Sequence, residues 1–197
     1  MIKNIILDIG GIILDDGKEN LRKYLKVSEE KTKKLSRIVY GSKGFRQYLL
    51  GYINLEKCMN SIISENPEYR DYIEKMLLTS NLKDIVPIKI NVLQVIRELK
   101  EKSNIYFLSN ITKETYEYIE DILNEFDGGI YSFKVHLCKP NPEIYKKLLY
   151  TYNLKKEESI FFDDRQRNVD IGNEIGIKSI KFNTEQDILD ALVMNSI

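Results

Sequence analysis

Several acidic and polar side chains stand where apolar runs end. Asp8 follows Ile5-Ile6-Leu7, Ser109-Asn110 follows Ile105 to Leu108, and Asp163-Asp164 follows Ile160-Phe161-Phe162. In open α/β sheets, ligands bind in the crevice beyond the carboxyl ends of the strands, so these groups are expected to converge on one site. Lys139, just before Pro140-Asn141-Pro142, is within reach of the same place. Together the set offers a carboxylate nucleophile, a hydroxyl and an amide for phosphate oxygens, one cation, and two acids for a hard metal. That mixture suits phosphoryl transfer, where catalysis is mainly positioning and neutralisation of charge on the phosphoryl oxygens. Taken singly, each residue has a plainer reading. Asp8 alone could start a turn, Lys139 could be a solvated lysine, and Ser109, Asn110 and Thr112 could cap a helix. Capping and phosphate binding are compatible, because helix N-termini bind anions. The adjacent acids Asp163 and Asp164 resist a plain reading, since they repel one another unless a cation or solvent compensates. His136, the single histidine, reads as structural or at the surface.

The elements that must position these groups follow from periodicity. Ile5 to Leu7, Ile105 to Leu108, Ile130 to Phe133, Ser159 to Phe162 and Ser179 to Phe182 read as about five buried strands. Helical patterns run over Val92 to Leu99, Lys113 to Phe126, Pro142 to Tyr152, Asn168 to Ile175 and Glu185 to Met194. Asn141 is a natural N-cap and Pro142 suits the first helical turn. Strand and helix alternate, which predicts an α/β fold with a Rossmann-like, doubly wound parallel sheet. Residues 17–85 contain no strand pattern and read as amphipathic helices broken at Gly41, Gly44, Gly51 and Pro67. The expected organisation is therefore a split core, 1–16 and 86–197, interrupted by a helical insert, 17–85.

Composition narrows the classes. A chain of 197 residues with 43% hydrophobic and 30% charged residues buries a good core and is neither disordered nor fibrous. Its thirty basic and thirty acidic side chains cancel, and no basic patch interleaved with aromatics argues for nucleic acid. The thirteen tyrosines read as amphipathic core and cover. Cys58 and Cys138 form no CxxC or His cluster and fit reduced thiols in a cytoplasmic protein. No stretch reads as a signal sequence or a membrane span.

The order of these residues resembles the haloacid dehalogenase superfamily. The four motifs are similar to Leu7-Asp8-Ile9-Gly10-Gly11-Ile12, Leu108-Ser109-Asn110, Lys139-Pro140-Asn141-Pro142-Glu143, and Phe161-Phe162-Asp163-Asp164 followed by Asn168. The insert resembles the helical cap that one subgroup places after the first motif. The resemblance implies a phosphatase acting on a small phosphorylated metabolite, with Asp8 forming an aspartyl phosphate. It further implies Mg²⁺ held by Asp8, the Gly10 carbonyl and Asp164, with Asp163 and Asn168 behind them. Ser109 and the Asn110 amide would bind phosphate, while Lys139 offsets the charge of the phosphate and Asp8. Many phosphatases of the family carry a second Asp where this chain has Gly10, as general acid and base. A subgroup with Asp-x-Gly-Gly, like this chain, is similar to sugar phosphatases. Asp15 and Asp16 are then candidates to supply the proton, and Arg46 and Gln47 in the insert are candidates to touch substrate. The competing readings are a phosphate- and metal-binding regulatory module, or a haloacid dehalogenase. A phospho-receiver domain is excluded by motif order, because its paired acids follow the first strand. The chain is expected to act as a monomer or homodimer.

Overall fold

The computed structural model describes residues 1–78 and 81–194. Its centre is β1 (Asn4–Leu7), a strand buried along its whole length. Four more strands join it in parallel: β2 (Asn104–Ser109), β3 (Gly128–Tyr131), β4 (Ser159–Asp163) and β5 (Lys178–Lys181), in the order β3-β2-β1-β4-β5. Alternation along the strands sorts the side chains onto two faces. Ile5, Leu7, Phe107, Ile160 and Phe162 share one apolar cluster, whereas Ile6, Tyr106, Leu108 and Phe161 share another. Both faces are therefore apolar and both need helices.

On the first face lie α7 (Ile90–Lys100) and α13 (Glu185–Met194), contributing Val92, Leu93, Ile96 and Ile188. On the second lie α11 (Pro142–Thr151) and α12 (Gln166–Glu174), contributing Ile144, Tyr145, Leu148 and Ile171. Full burial of each such side chain is worth about 1.5–3 kcal/mol. Asn141 caps α11 as its sequence suggests, accepting the Glu143 N–H at 3.0 Å.

Between the first strand and α7 run α1 (Lys18–Leu25), α2 (Glu29–Tyr40), α3 (Lys43–Leu49), α4 (Leu55–Glu65), α5 (Arg70–Leu77) and α6 (Leu82–Ile85). Ser28, Ser42 and Asn54 cap three of them, each accepting the N–H three residues on. These helices share a cluster of their own, including Leu35, Val39, Cys58, Ile62 and Ile73. Two connecting strips tie them to the sheet. The Asp15 N–H donates to the Pro87 carbonyl at 2.9 Å and the Lys89 N–H to the Ile13 carbonyl at 2.8 Å. Cys58 and Cys138 are separate thiols, and among the described residues no helix is long and apolar enough to cross a membrane.

Three elements depart from the periodicity. The third strand begins earlier than Ile130, because Gly128 leaves room for the Tyr152 ring, whose hydroxyl donates to the Gly129 carbonyl and accepts its N–H. Ser132 and Phe133 then turn into a short helix, α10 (Ser132–Val135). The helix expected over Lys113 to Phe126 is two pieces, α8 (Lys113–Tyr118) and α9 (Glu120–Leu123), parted at Ile119, which is buried with φ −121°. The last strand lies one residue earlier than read, and the Phe182 N–H instead donates to the Asp163 carbonyl at 2.9 Å.

Candidate functional site

The sheet register assembles the site. Leu7 pairs with Phe107 on one side and Phe162 on the other, so the residues that follow emerge at one level at the carboxyl end. The Asp8 N–H still donates to the Phe162 carbonyl at 3.0 Å. Its carboxylate is 7% exposed as a residue and held on three sides: Oδ1 accepts Ser109 Oγ at 2.6 Å and the Ile9 N–H at 2.7 Å, while Oδ2 lies 2.9 Å from Lys139 Nζ.

Lys139 is buried and bridges two acids, its Nζ also lying 2.5 Å from Asp163 Oδ2. The other oxygen of Asp163 accepts the Arg165 N–H and Asn168 Nδ2, both at 2.9 Å. Tyr145 fixes Asn168 in turn, donating to its carbonyl at 2.9 Å. Asp164 makes no contact with Lys139 short enough to be an ion pair; its buried Oδ1 accepts no hydrogen bond and lies 3.9 Å from Arg165 Nε.

Asp8, Asp163 and Asp164 each offer a carboxylate oxygen within 4.8 Å of the others. Three carboxylates face one buried ammonium and, beside Asp164, the solvent-exposed Arg165 guanidinium at 3.9 Å, so the cluster is short of positive charge in its interior. Burial, then the Asp8 charge, push the Asp163 carboxyl up to about 6 despite Lys139, and the same two causes raise Asp164. An all-oxygen donor set with an orphaned buried oxygen is what a hard divalent cation requires. Gly11 shapes the same cradle: at φ +81°, a Cβ there would sit 2.7 Å from the Asp164 carboxyl carbon. The residues present fit Mg²⁺.

The structure thus brings together Asp8, Ser109, Lys139, Asp163, Asp164 and Asn168. Asn110 is present but differently employed. Its side-chain amide is engaged with the backbone of Lys139, accepting that residue's N–H at 2.8 Å and donating to its carbonyl at 2.9 Å. A phosphate contact from Asn110 is left to its backbone N–H.

Asp15 and Asp16 are occupied as well. Asp15 accepts the Gly17 N–H and Asn20 Nδ2. Burial pushes Asp16 up, but hydrogen bonds from the Lys18 side chain and backbone outweigh it and hold the carboxyl below its usual range, the wrong direction for a proton donor at neutral pH.

Arg46 and Gln47 are exposed on α3. Other residues of 17–85 face α8 across a cavity of about 450 Å³, lined by Tyr48, Tyr52, Asn54 and Lys57 on one side and Lys113 and Glu114 on the other. Tyr48 donates to Glu114 across it. Beside it the His136 ring stacks on Tyr52 at 4.9 Å and its Nδ1 lies 2.6 Å from the Leu50 carbonyl, so the single histidine joins two parts of the chain. Sequence reading missed Lys89, whose Nζ donates to the Gly11 carbonyl at 2.7 Å. No local motif signals it, because the contact depends on pairing of the two connecting strips.

Comparison with known proteins gives a family and a fold. Residues 2–176 match the haloacid dehalogenase-like hydrolase family. The chain is 24% identical over 196 residues to a D-ribitol-5-phosphate phosphatase of Bacteroides thetaiotaomicron, with 92% of each chain covered. It is similar in fold to a HAD-family enzyme of B. thetaiotaomicron in complex with magnesium and inorganic phosphate, with a TM-score of 0.72, 20% identity, and 93% and 95% of the two chains covered. A predicted HAD-like hydrolase from Porphyromonas gingivalis gives the same TM-score of 0.72 at 19% identity, covering 99% and 98%.

Proposed function

The chain belongs to the haloacid dehalogenase-like hydrolases, and from that premise we propose that it is a Mg²⁺-dependent phosphatase of a small phosphorylated metabolite, a sugar or polyol phosphate. The observation that carries this reading is the cluster of three carboxylates, two of them buried, around one buried ammonium, with an Asp164 oxygen that accepts no hydrogen bond. In this reading the helices of residues 17–85 cap a core of 1–16 and 86–197, and the protein works in the cytoplasm as a monomer or homodimer.

The proposed roles follow the geometry. Asp8 attacks phosphorus, the bond from phosphorus to the leaving oxygen breaks as that oxygen takes a proton from solvent water, and a second water then cleaves the aspartyl phosphate to release phosphate and restore the carboxylate. Ser109 Oγ and the Asn110 backbone N–H hold phosphoryl oxygens, and Lys139 neutralises charge between the phosphoryl group and Asp8. Asp8, the Gly10 carbonyl and Asp164 would hold Mg²⁺, with Asp163 and Asn168 orienting them. Bound there, the cation would neutralise charge on the phosphoryl oxygens. The leaving group would face the cavity between Tyr52, Asn54 and Glu114, whose hydroxyl, amide and carboxylate suit a polyhydroxylated ligand. The relative that acts on D-ribitol-5-phosphate supports that class.

Haloacid dehalogenation would use the same nucleophile on carbon but leaves the excess of carboxylates unexplained. The test is a panel of phosphorylated sugars and polyols, with and without Mg²⁺, beside Asp8→Asn. Phosphate release should require both the metal and Asp8. Activity that survives the substitution or the removal of metal overturns the mechanism, and phosphate binding without turnover assigns the chain to a regulatory role instead.

A further inference from the structure

We propose that Asn110 is a positioning residue that acts through Lys139: its side chain fixes the Lys139 backbone so that Nζ stands between Asp8 and Asp163. The proposal rests on the catalytic reading of Lys139 given above. A lysine side chain has four rotatable carbons, and placing its ammonium between two buried acids requires a fixed starting point. Lys139 lies between α10 and α11, outside any helix or strand, so no regular ladder fixes it. Asn110 supplies what a ladder would. One amide both accepts the Lys139 N–H and donates to its carbonyl, at 2.8 and 2.9 Å, which satisfies two main-chain groups of one residue at once.

The origin of the clamp matters. Ser109 and Asn110 are consecutive at the end of β2; the first binds Asp8 Oδ1 and the second binds the backbone of the residue whose ammonium contacts Asp8 Oδ2. One strand end therefore sets the nucleophile and its counter-ion relative to each other. The Asn110 side chain is thus engaged with Lys139 through both its oxygen and its nitrogen, which separates this role from the phosphate contact assigned to the backbone N–H.

The test is a double-mutant cycle on kcat with Asn110→Ala and Lys139→Met in the full-length, Mg²⁺-loaded protein. Displacing the ammonium by about 1 Å should lower kcat on the order of 10- to 100-fold in Asn110→Ala. In the Lys139→Met background the same change should cost no more than about 3-fold, because the group it positions is gone. Asn110→Asp, which keeps the acceptor and loses the donor, should fall between. Crystal structures of the single variants supply a readout independent of turnover: Lys139 Nζ should move away from Asp8 in Asn110→Ala. If wild type lacks phosphatase activity, the catalytic reading fails, while the position of Nζ still decides the clamp. Additive losses in kcat with an unmoved ammonium overturn the proposal and return Asn110 to direct contact with substrate.

Discussion

Replacing Asp8 with asparagine is expected to abolish turnover while leaving the metal-free protein as stable as before, or more so. The acidic oxygens of Asp8, Asp163 and Asp164 lie within 4.8 Å of one another. At an effective dielectric constant of ~20, each repulsion involving Asp8 is then worth at least roughly 3.5 kcal/mol. One attraction opposes the two repulsions: Lys139 Nζ at 2.9 Å, worth roughly 6 kcal/mol on the same scale. Asparagine also removes the cost of burying a charge and keeps an oxygen for Ser109 and the Ile9 N–H. The balance predicts a gain of 0 to about 2 kcal/mol, or up to about 8 °C in melting midpoint for a chain of this size. Calorimetry in EDTA and again with excess Mg²⁺ is the assay. Wild type should gain stability from the metal and the variant should gain little, so their order reverses or closes. A variant that melts several degrees below wild type in EDTA, or that responds equally to Mg²⁺, would refute the charge argument.

Four further outcomes follow from the same geometry. Because the folded Asp163 carboxyl is raised from 3.8 to about 6, its stabilising effect is complete below pH ~4 and is lost as pH rises through about 6, removing roughly 3 kcal/mol of metal-free stability by pH 7. Urea unfolding across pH 4–7 in EDTA should show that slope, and Asp163→Asn should flatten it. Gly11→Ala places a Cβ 2.7 Å from the Asp164 carboxyl carbon at φ +81°; a loss of about 1–3 kcal/mol and weakened Mg²⁺ binding are expected in metal titrations of melting. Gly51→Ala, at φ +73° with a Cβ 2.2 Å from the Phe133 carbonyl oxygen, should loosen the contact beside the cavity and raise KM. Gly10 differs, because a Cβ there meets nothing within 4 Å. Gly10→Asp should therefore fold and add a proton donor, raising kcat about 10-fold or more for alkyl phosphates, and an unchanged rate would show that proton transfer does not limit turnover.

The sheet was legible because β1, β2 and β4 are apolar on both faces, and parallel strands covered on both sides read as continuous hydrophobic runs. The shift in β3 was hidden by Gly128 and Gly129, residues with poor strand propensity, the first of which admits the Tyr152 ring and the second Tyr131. The order of the acids, Ser109 and Lys139 was readable because the acids and Ser109 end strands that a sequence pattern marks and Lys139 precedes a helix start that Asn141 and Pro142 mark. The direction of the Asn110 side chain, the contact of Lys89 with Gly11 and the depressed carboxyl of Asp16 were not, because each depends on which loops meet. The cavity is the clearest instance: Arg46 and Gln47 drew attention by residue type, yet Tyr48, Tyr52, Asn54 and Lys57 line it.

The register also explains why Lys139 belongs to the fold as much as to the chemistry. Neighbouring parallel strands stand about 4.8 Å apart, and Leu7 lies opposite Phe162, so Asp8 and Asp163 leave the sheet side by side. Two carboxylates held at that spacing repel wherever the chain places its other groups. The loop before α11 answers with one ammonium, 2.9 Å from the first and 2.5 Å from the second. That satisfies the pair but leaves Asp164, one residue on, with a buried oxygen that accepts no hydrogen bond and has only the exposed Arg165 guanidinium, 3.9 Å away, as a counter-charge. The residual negative charge is thus a consequence of strand register. In the proposed mechanism a divalent cation would relieve it, and Asp8 would be held beside that cation by the same backbone that creates the need.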